Sequence, residues 1–236
     1  MLDPPAPSAT LSVVIPTLDE QARIGRRLSE LAALPGVREV IVVDGGSSDG
    51  TAAAVACHPG VRWLQAPRGR ASQMNAGAAL ALGEVHLFLH ADVRLPPDAA
   101  LHIQRALRDP AVVAGAFRTW TVPDTRPTWL SPLLHLADLR SRCARLPYGD
   151  QAIFVRSQVF RDVGGFPDLP ILEDLELSRR LWTRGRMHTC SARVEVSGRR
   201  FLARPVFYTV LVNLIPLLVR LGVRPARLAA LYGAPR

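Results

Sequence analysis

Two short apolar runs in this chain each end at an aspartate. Val40-Ile41-Val42-Val43 leads into Asp44-Gly45-Gly46-Ser47-Ser48-Asp49-Gly50-Thr51, and Val85-His86-Leu87-Phe88-Leu89 leads into His90-Ala91-Asp92. Runs of this length, rich in β-branched residues and closed by Gly, Ser and Asp, read as strands buried on both faces of a parallel sheet. Ligands of open α/β sheets bind just outside the carboxyl ends of such strands. Both carboxylates are therefore expected on one functional edge.

The surrounding pattern agrees. Leu11 to Ile15 reads as a first strand halted by Pro16-Thr17, and between Asp19 and Leu34 the apolar residues Ile24, Leu28, Leu31 and Leu34 recur at helical spacing. Helices are expected at 51–57, 71–82 and from Pro96 through Leu107, with strands at 61–64 and 85–89. This alternation predicts an α/β fold with a mostly parallel, doubly wound sheet. Beyond Asp92 it loosens into a strand at 112–121, a proline-rich stretch at 123–132, a loop at 148–151, a strand at 152–155, a turn at 164–167 and a helix from Glu173 to Trp182.

A single domain at 11–202 is the simplest division of 236 residues, with 1–10 as a loose lead-in and 203–236 as an apolar, basic helical tail. The apolar runs of the tail are broken by Arg204, Pro205, Asn213 and Pro216. They fall short of the roughly 20 residues that a membrane span needs. Three readings of 203–228 stay open: a helix packed on the protein's own core, a helix packed on a partner, or a peripheral contact with the inner face of the cell membrane.

All 29 basic residues are arginine. Without lysine there is no P-loop amine, no Schiff base and no lysine nucleophile. The net charge of +9 suits an anionic ligand without choosing one. Cys57, Cys143 and Cys190 form no C-x-x-C pair, which points away from a zinc site or a disulfide framework and towards a reducing cytoplasm. The first ten residues lack the basic and apolar segments of a secretory signal.

Several residue types in this frame suit chemistry on a phosphate-bearing ligand, each beside a plainer role. Asp44 can accept hydrogen bonds from a nucleoside or from the N–H groups of its own turn. Asp49 is placed to cap a helix. Asp92 can bind a hard cation that bridges diphosphate oxygens, for which one protein carboxylate suffices. His90 is either a second ligand or a hydrogen-bonded strand-end ring. Arg68-Gly69-Arg70 precedes a helix, as a phosphate site does, and equally fits a solvated loop. Glu173 and Asp174 complement a helix dipole or supply a general base, and since they diverge by about 100° only one can face the reacting atom. Gly198-Arg199-Arg200-Phe201 is a further basic cluster.

In this order and spacing, Ser12 to Glu20, Val43 to Thr51, Asn75-Ala76-Gly77, Phe88 to Asp92, Gly164-Gly165-Phe166 and Glu173 to Leu177 resemble the family 2 glycosyltransferases, which have the nucleotide-diphospho-sugar transferase (GT-A) fold. The likeness covers about residues 10 to 202. It is closest to the small bacterial transferases associated with radical-SAM and selenium-domain proteins, through Arg68 to Gly77 and His90-Ala91-Asp92.

The resemblance implies an inverting transfer of sugar from a nucleotide diphosphate to a hydroxyl acceptor, with no nucleic acid partner. Pro16, Thr17, Leu18 and Asp44 would meet the nucleoside, and Glu20, Asn75 and Ala91 would belong to the donor side. Arg70 would support base or phosphate, and Asp92, with His90 as second candidate, would hold Mn²⁺ or Mg²⁺. Asp174, or else Glu173, would be the base, while Arg199 and Arg200 would steady the diphosphate. The chain departs from the family pattern where His90 replaces the first acid of Asp-x-Asp and where Phe201 replaces Trp. The rival readings are a nucleotidyltransferase, which would carry a glycine-rich basic loop after the first strand, and a non-catalytic basic module binding nucleic acid or an anionic membrane.

Overall fold

The computed structural model describes residues 9–123 and 146–198, together with residues 135, 138, 141, 214, 218, 221, 223 and 228. Among these, eight strands form one sheet in the order β3-β2-β1-β4-β7-β6-β8-β5. The strands are β1 (Leu11–Thr17), β2 (Val37–Asp44), β3 (Val61–Gln65), β4 (Val85–Phe88), β5 (Val93–Arg94), β6 (Val112–Val122), β7 (Phe154–Arg156) and β8 (Arg186–Ser197). The half built from β3, β2, β1 and β4 is parallel throughout. Strand β7 enters antiparallel to both β4 and β6, and β6 pairs parallel with β8.

The helices are α1 (Gln21–Ala32), α2 (Thr51–Ala56), α3 (Arg70–Leu80), α4 (Ala99–Leu107), α5 (Ser157–Asp162) and α6 (Glu173–Trp182). They cover both faces of the sheet, whose alternate residues feed two cores. Val13, Ile15, Val42 and Leu87 pack with Ile24, Leu28 and Leu31 of α1 and Ile103 of α4. Val14, Ile41, Val43 and Phe88 pack with Met74 of α3 and with Phe160 and Phe166. Gly77 lets α3 lie flat on the sheet, since a Cβ there would come within 2.4 Å of Val14 and 2.9 Å of Val43. An α/β architecture with helices on both faces of the sheet is thus what the alternating pattern anticipated.

The differences are local. Strand β1 runs on through Pro16 and Thr17, which pair with Val43 and Asp44. The last β1–β4 pair is Val14 with Phe88, so beyond it no ladder on that side asks Pro16 for an N–H. Strand β7 begins at Phe154 rather than Ala152, because Ala152 holds a left-handed φ of 50° that breaks the extended backbone. Strand β8 has no counterpart in the expected elements, although Cys190, Val194 and Val196 bury alternate positions.

The tail lies largely outside the described residues. Within it, Leu228 is buried against Ile171, and Leu218 and Val223 join the same cluster beside Leu172. Among the described residues no helix is long and apolar enough to cross a membrane.

Candidate active site

The carboxyl ends of β1 and β2 are held together by their own loops. Asp44 is 2% exposed; its Oδ2 accepts the N–H groups of Gly46 (3.0 Å) and Ser47 (2.9 Å), and Oδ1 accepts the Ser47 hydroxyl. The self-satisfied turn is therefore the geometry seen for Asp44. Asp49 accepts the N–H of Thr51 (2.9 Å) and that of Gln21 at the start of α1 (3.0 Å), so it serves two helix ends. Asp19, at a left-handed φ of 53°, accepts the Ser48 N–H at 2.8 Å.

Of the expected donor-side residues, Thr17 and Leu18 are buried and Pro16 is half-buried. Glu20 is buried too; its backbone N–H donates to Thr51 Oγ1 at 2.9 Å and its carboxylate lies 3.6 Å from Arg23. Gln73 did not stand out in the sequence. Buried under the same rim, it donates from Nε2 to the carbonyls of Thr17 and Val43, both at 2.8 Å, and thereby spaces the ends of β1 and β2. An amide inside an Ala-rich helix gives no sequence signal of that role.

Asn75, also expected on the donor side, meets the turn at 164–167. Its Nδ2 donates to the Phe166 carbonyl at 2.8 Å and its Oδ1 accepts the Phe166 N–H at 2.9 Å, so its amide clamps the turn at 164–167 to α3. Both functions of the amide are used there. Ala91 is 3% exposed.

Across the edge, His90, Asp92, Gly149, Asp150, Asp174, Arg70 and Glu173 converge. The 3-10 turn Gly149–Gln151 is set by Gln151, whose Oε1 accepts the Tyr148 N–H at 2.9 Å and whose Nε2 donates to the Phe117 carbonyl at 3.0 Å. The Gly149 N–H donates to Asp174 Oδ2 at 2.5 Å, and a Cβ on Gly149 would sit 3.1 Å from both that oxygen and the His90 ring. A loop glycine thus lies where the ring and the carboxylate come together.

His90 is pushed below the usual histidine range by burial first and by Arg70 second, against the pull of Asp92, Asp174 and Asp150. The ring is therefore neutral at neutral pH. Glu173, 1% exposed, is paired with Arg70 at 2.8 Å. Burial pushes its carboxyl up to about 7 while Arg70 draws it down. The two acids at the start of α6 have separated as a helix requires: Glu173 is enclosed and Asp174 is half-buried at the rim.

Among the described residues no group of three or more His, Cys, Asp or Glu side chains is arranged to hold a metal ion. The residues present fit a cation only in the mode in which one protein carboxylate is supplemented by substrate oxygens, and Asp92, half-buried at the rim, is the carboxylate for it. The Ser197 N–H donates to the Asp92 carbonyl at 3.1 Å, so β8 ends beside Asp92. Arg199 and Arg200 follow directly and lie outside the described residues.

The model of glycosyl transferase family 2 matches residues 12–164, which spans the parallel half-sheet and reaches the turn clamped by Asn75. The chain belongs to glycosyl transferase family 2. It is 31% identical over 218 residues to the uncharacterized protein MT1568 of Mycobacterium tuberculosis (strain CDC 1551 / Oshkosh), covering 82% of this chain and 67% of that protein.

Solved structures show the same family fold. The mannosyltransferase PcManGT from Pyrobaculum calidifontis, in complex with GDP-Man and Mn²⁺, has a TM-score of 0.61 at 22% identity over 79% of this chain. TarS 1-349 of S. aureus, in complex with UDP-GlcNAc, has a TM-score of 0.62 at 18% identity over 80% of it. This family 2 chain spans 56% of the mannosyltransferase chain and 58% of the TarS chain, so it shares their fold over little more than half their length.

Proposed function

We propose that this chain transfers a sugar from a nucleotide diphosphate donor to a hydroxyl acceptor, with inversion at the anomeric carbon. The observation that carries this reading is the convergence of Asp174, from α6, with His90 and Asp92 at the carboxyl edge of the sheet, while the neighbouring Glu173 is engaged by Arg70. The complexes of two structural relatives with GDP-Man and UDP-GlcNAc lend support to a nucleotide-sugar donor.

Asp174 is the base of this reaction. Its Oδ2 is oriented by the Gly149 N–H and takes the proton of the acceptor hydroxyl as that oxygen bonds to the anomeric carbon. The bond from that carbon to the diphosphate oxygen breaks, and the nucleoside diphosphate leaves with its electron pair. Arg70, and Arg199 and Arg200 after β8, meet the charge on the leaving group. A divalent cation, Mn²⁺ or Mg²⁺, held by Asp92 with the neutral ring of His90 as the second ligand candidate, would supply further neutralisation of the diphosphate. The rim over Asp44, Thr17 and Leu18 receives the nucleoside. Such a transferase works in the cytoplasm, where nucleotide sugars are made.

The test is a screen of nucleotide sugars for release of nucleoside diphosphate with Mn²⁺ or Mg²⁺, comparing wild type with Asp92→Ala and Asp174→Asn. Both substitutions are expected to abolish turnover. Turnover that survives both would sink the mechanism.

A further inference from the structure

A carboxylate as enclosed as that of Glu173 must protonate or find a partner. It finds Arg70, with Nε meeting Oε1 at 2.8 Å and Nη2 meeting Oε2 at 3.4 Å, a side-on fork. The pair joins two helix starts that lie far apart in sequence. Arg70 opens α3 directly after Gly69, whose φ is 142°, and Glu173 opens α6 directly after Leu172, whose φ is 63°. A left-handed non-glycine residue is strained and persists only where its surroundings enforce it. At Leu172 the result is that Glu173 turns inward to Arg70 while Asp174 reaches Gly149.

We infer that Glu173 is a positioning residue: its two-point pair fixes the Arg70 guanidinium at the carboxyl edge of the sheet and ties donor binding to the helix start that carries Asp174. The inference rests on the function proposed above. Arginine presents its N–H donors in one rigid plane, so holding the Nε edge sets the direction in which the Nη groups face a phosphate. Lysine could not be held in this way. Glu173, enclosed and paired, has no path to an acceptor hydroxyl, which leaves proton transfer to Asp174.

The experiment is calorimetric titration of the full chain with UDP and with GDP, alongside donor KM and kcat, for wild type, Glu173→Gln, Arg70→Lys, their double variant and Asp174→Asn. Glu173→Gln and Arg70→Lys are each expected to weaken Kd and raise donor KM about tenfold; kcat stays within a few-fold of wild type in Glu173→Gln, whereas Arg70→Lys also lowers kcat, because Arg70 itself meets the charge on the leaving group. The double variant should be no worse than the weaker single one, and Asp174→Asn should keep Kd and lose kcat.

Wild-type Kd in Glu173→Gln would overturn the inference, and so would a loss of kcat as deep as in Asp174→Asn. If Glu173→Gln does not fold, Glu173→Asp keeps the charge and withdraws it by one methylene; a weakened Kd supports the inference and an unchanged Kd overturns it. A wild-type protein that binds neither nucleotide and turns over no nucleotide sugar would remove the functional reading itself, and the inference with it.

Discussion

The backbone N–H of Gly149 donates to Asp174 Oδ2 at 2.5 Å, so the base proposed for this transferase is oriented by a loop 25 residues upstream of it. The His90 ring fills the other side of the same glycine. Replacing Gly149 with alanine puts a methyl group 3.1 Å from both. The two side chains must give by a few tenths of an ångström, and a misplacement of about 1 Å at a reacting group costs on the order of 100-fold in rate. Gly149→Ala is therefore expected to lower kcat by less than that factor, about tenfold, while leaving the Tm within a few degrees, measured by turnover and thermal unfolding of the same preparation.

His86 gives the fold an acid-sensitive point away from this edge. The residue is 1% exposed, both ring nitrogens lack a hydrogen-bond partner among the described residues, and its neighbours include Phe88 and Phe160. Burial, with Arg161 adding to it, lowers its pKa to about 4. The folded state thus favours the neutral ring. The associated stability is fully present above pH 6.5 and is lost as pH falls towards 4, a change on the order of 2 kcal/mol. His86→Phe should flatten that acid limb, as read from urea unfolding between pH 4 and 7.

Glu173 titrates in the opposite sense. Its folded pKa, about 7, lies above its ordinary value of 4.5, so its contribution is most favourable below pH 4.5 and is lost as pH rises through 7. Arg70 offsets that loss. Arg70→Met, which strands the carboxylate, is expected to destabilise by about 3 kcal/mol at pH 8 and by clearly less at pH 5, where Glu173 can take up a proton. Equal losses at the two pH values would contradict this account.

Asn75 is predicted to matter for stability more than for the donor. Asn75→Ala removes both hydrogen bonds to Phe166 and leaves the N–H and carbonyl of that residue without them. A cost of about 2 kcal/mol follows. Chemical denaturation should register it, and donor KM should change by less than about twofold.

The parallel half of the fold was legible because each element declared its own period. Ile24, Leu28 and Leu31 mark one face of α1, and Val40 to Val43 mark a strand buried on both sides. The second half was less readable for physical reasons. Strand β8 carries Arg186, His188 and Arg193 among its outward positions, which dilutes its alternation. Strand β5 has only two residues and exists because β8 pairs with it. The left-handed Ala152 delays β7 in a way that no propensity announces.

What the sequence alone determined is the class of fold and the acids delivered to the carboxyl edge of the sheet, since these follow from hydrophobic period and from where strands stop. Only the tertiary structure decided which groups the side chains near that edge meet. It closed Asp44 on its own turn, spent Asn75 on Phe166, brought Gln73 under the rim and parted Glu173 from Asp174. Such roles depend on which distant backbone group or guanidinium comes within 3 Å of a side chain, and that is set by packing between elements rather than by residue spacing.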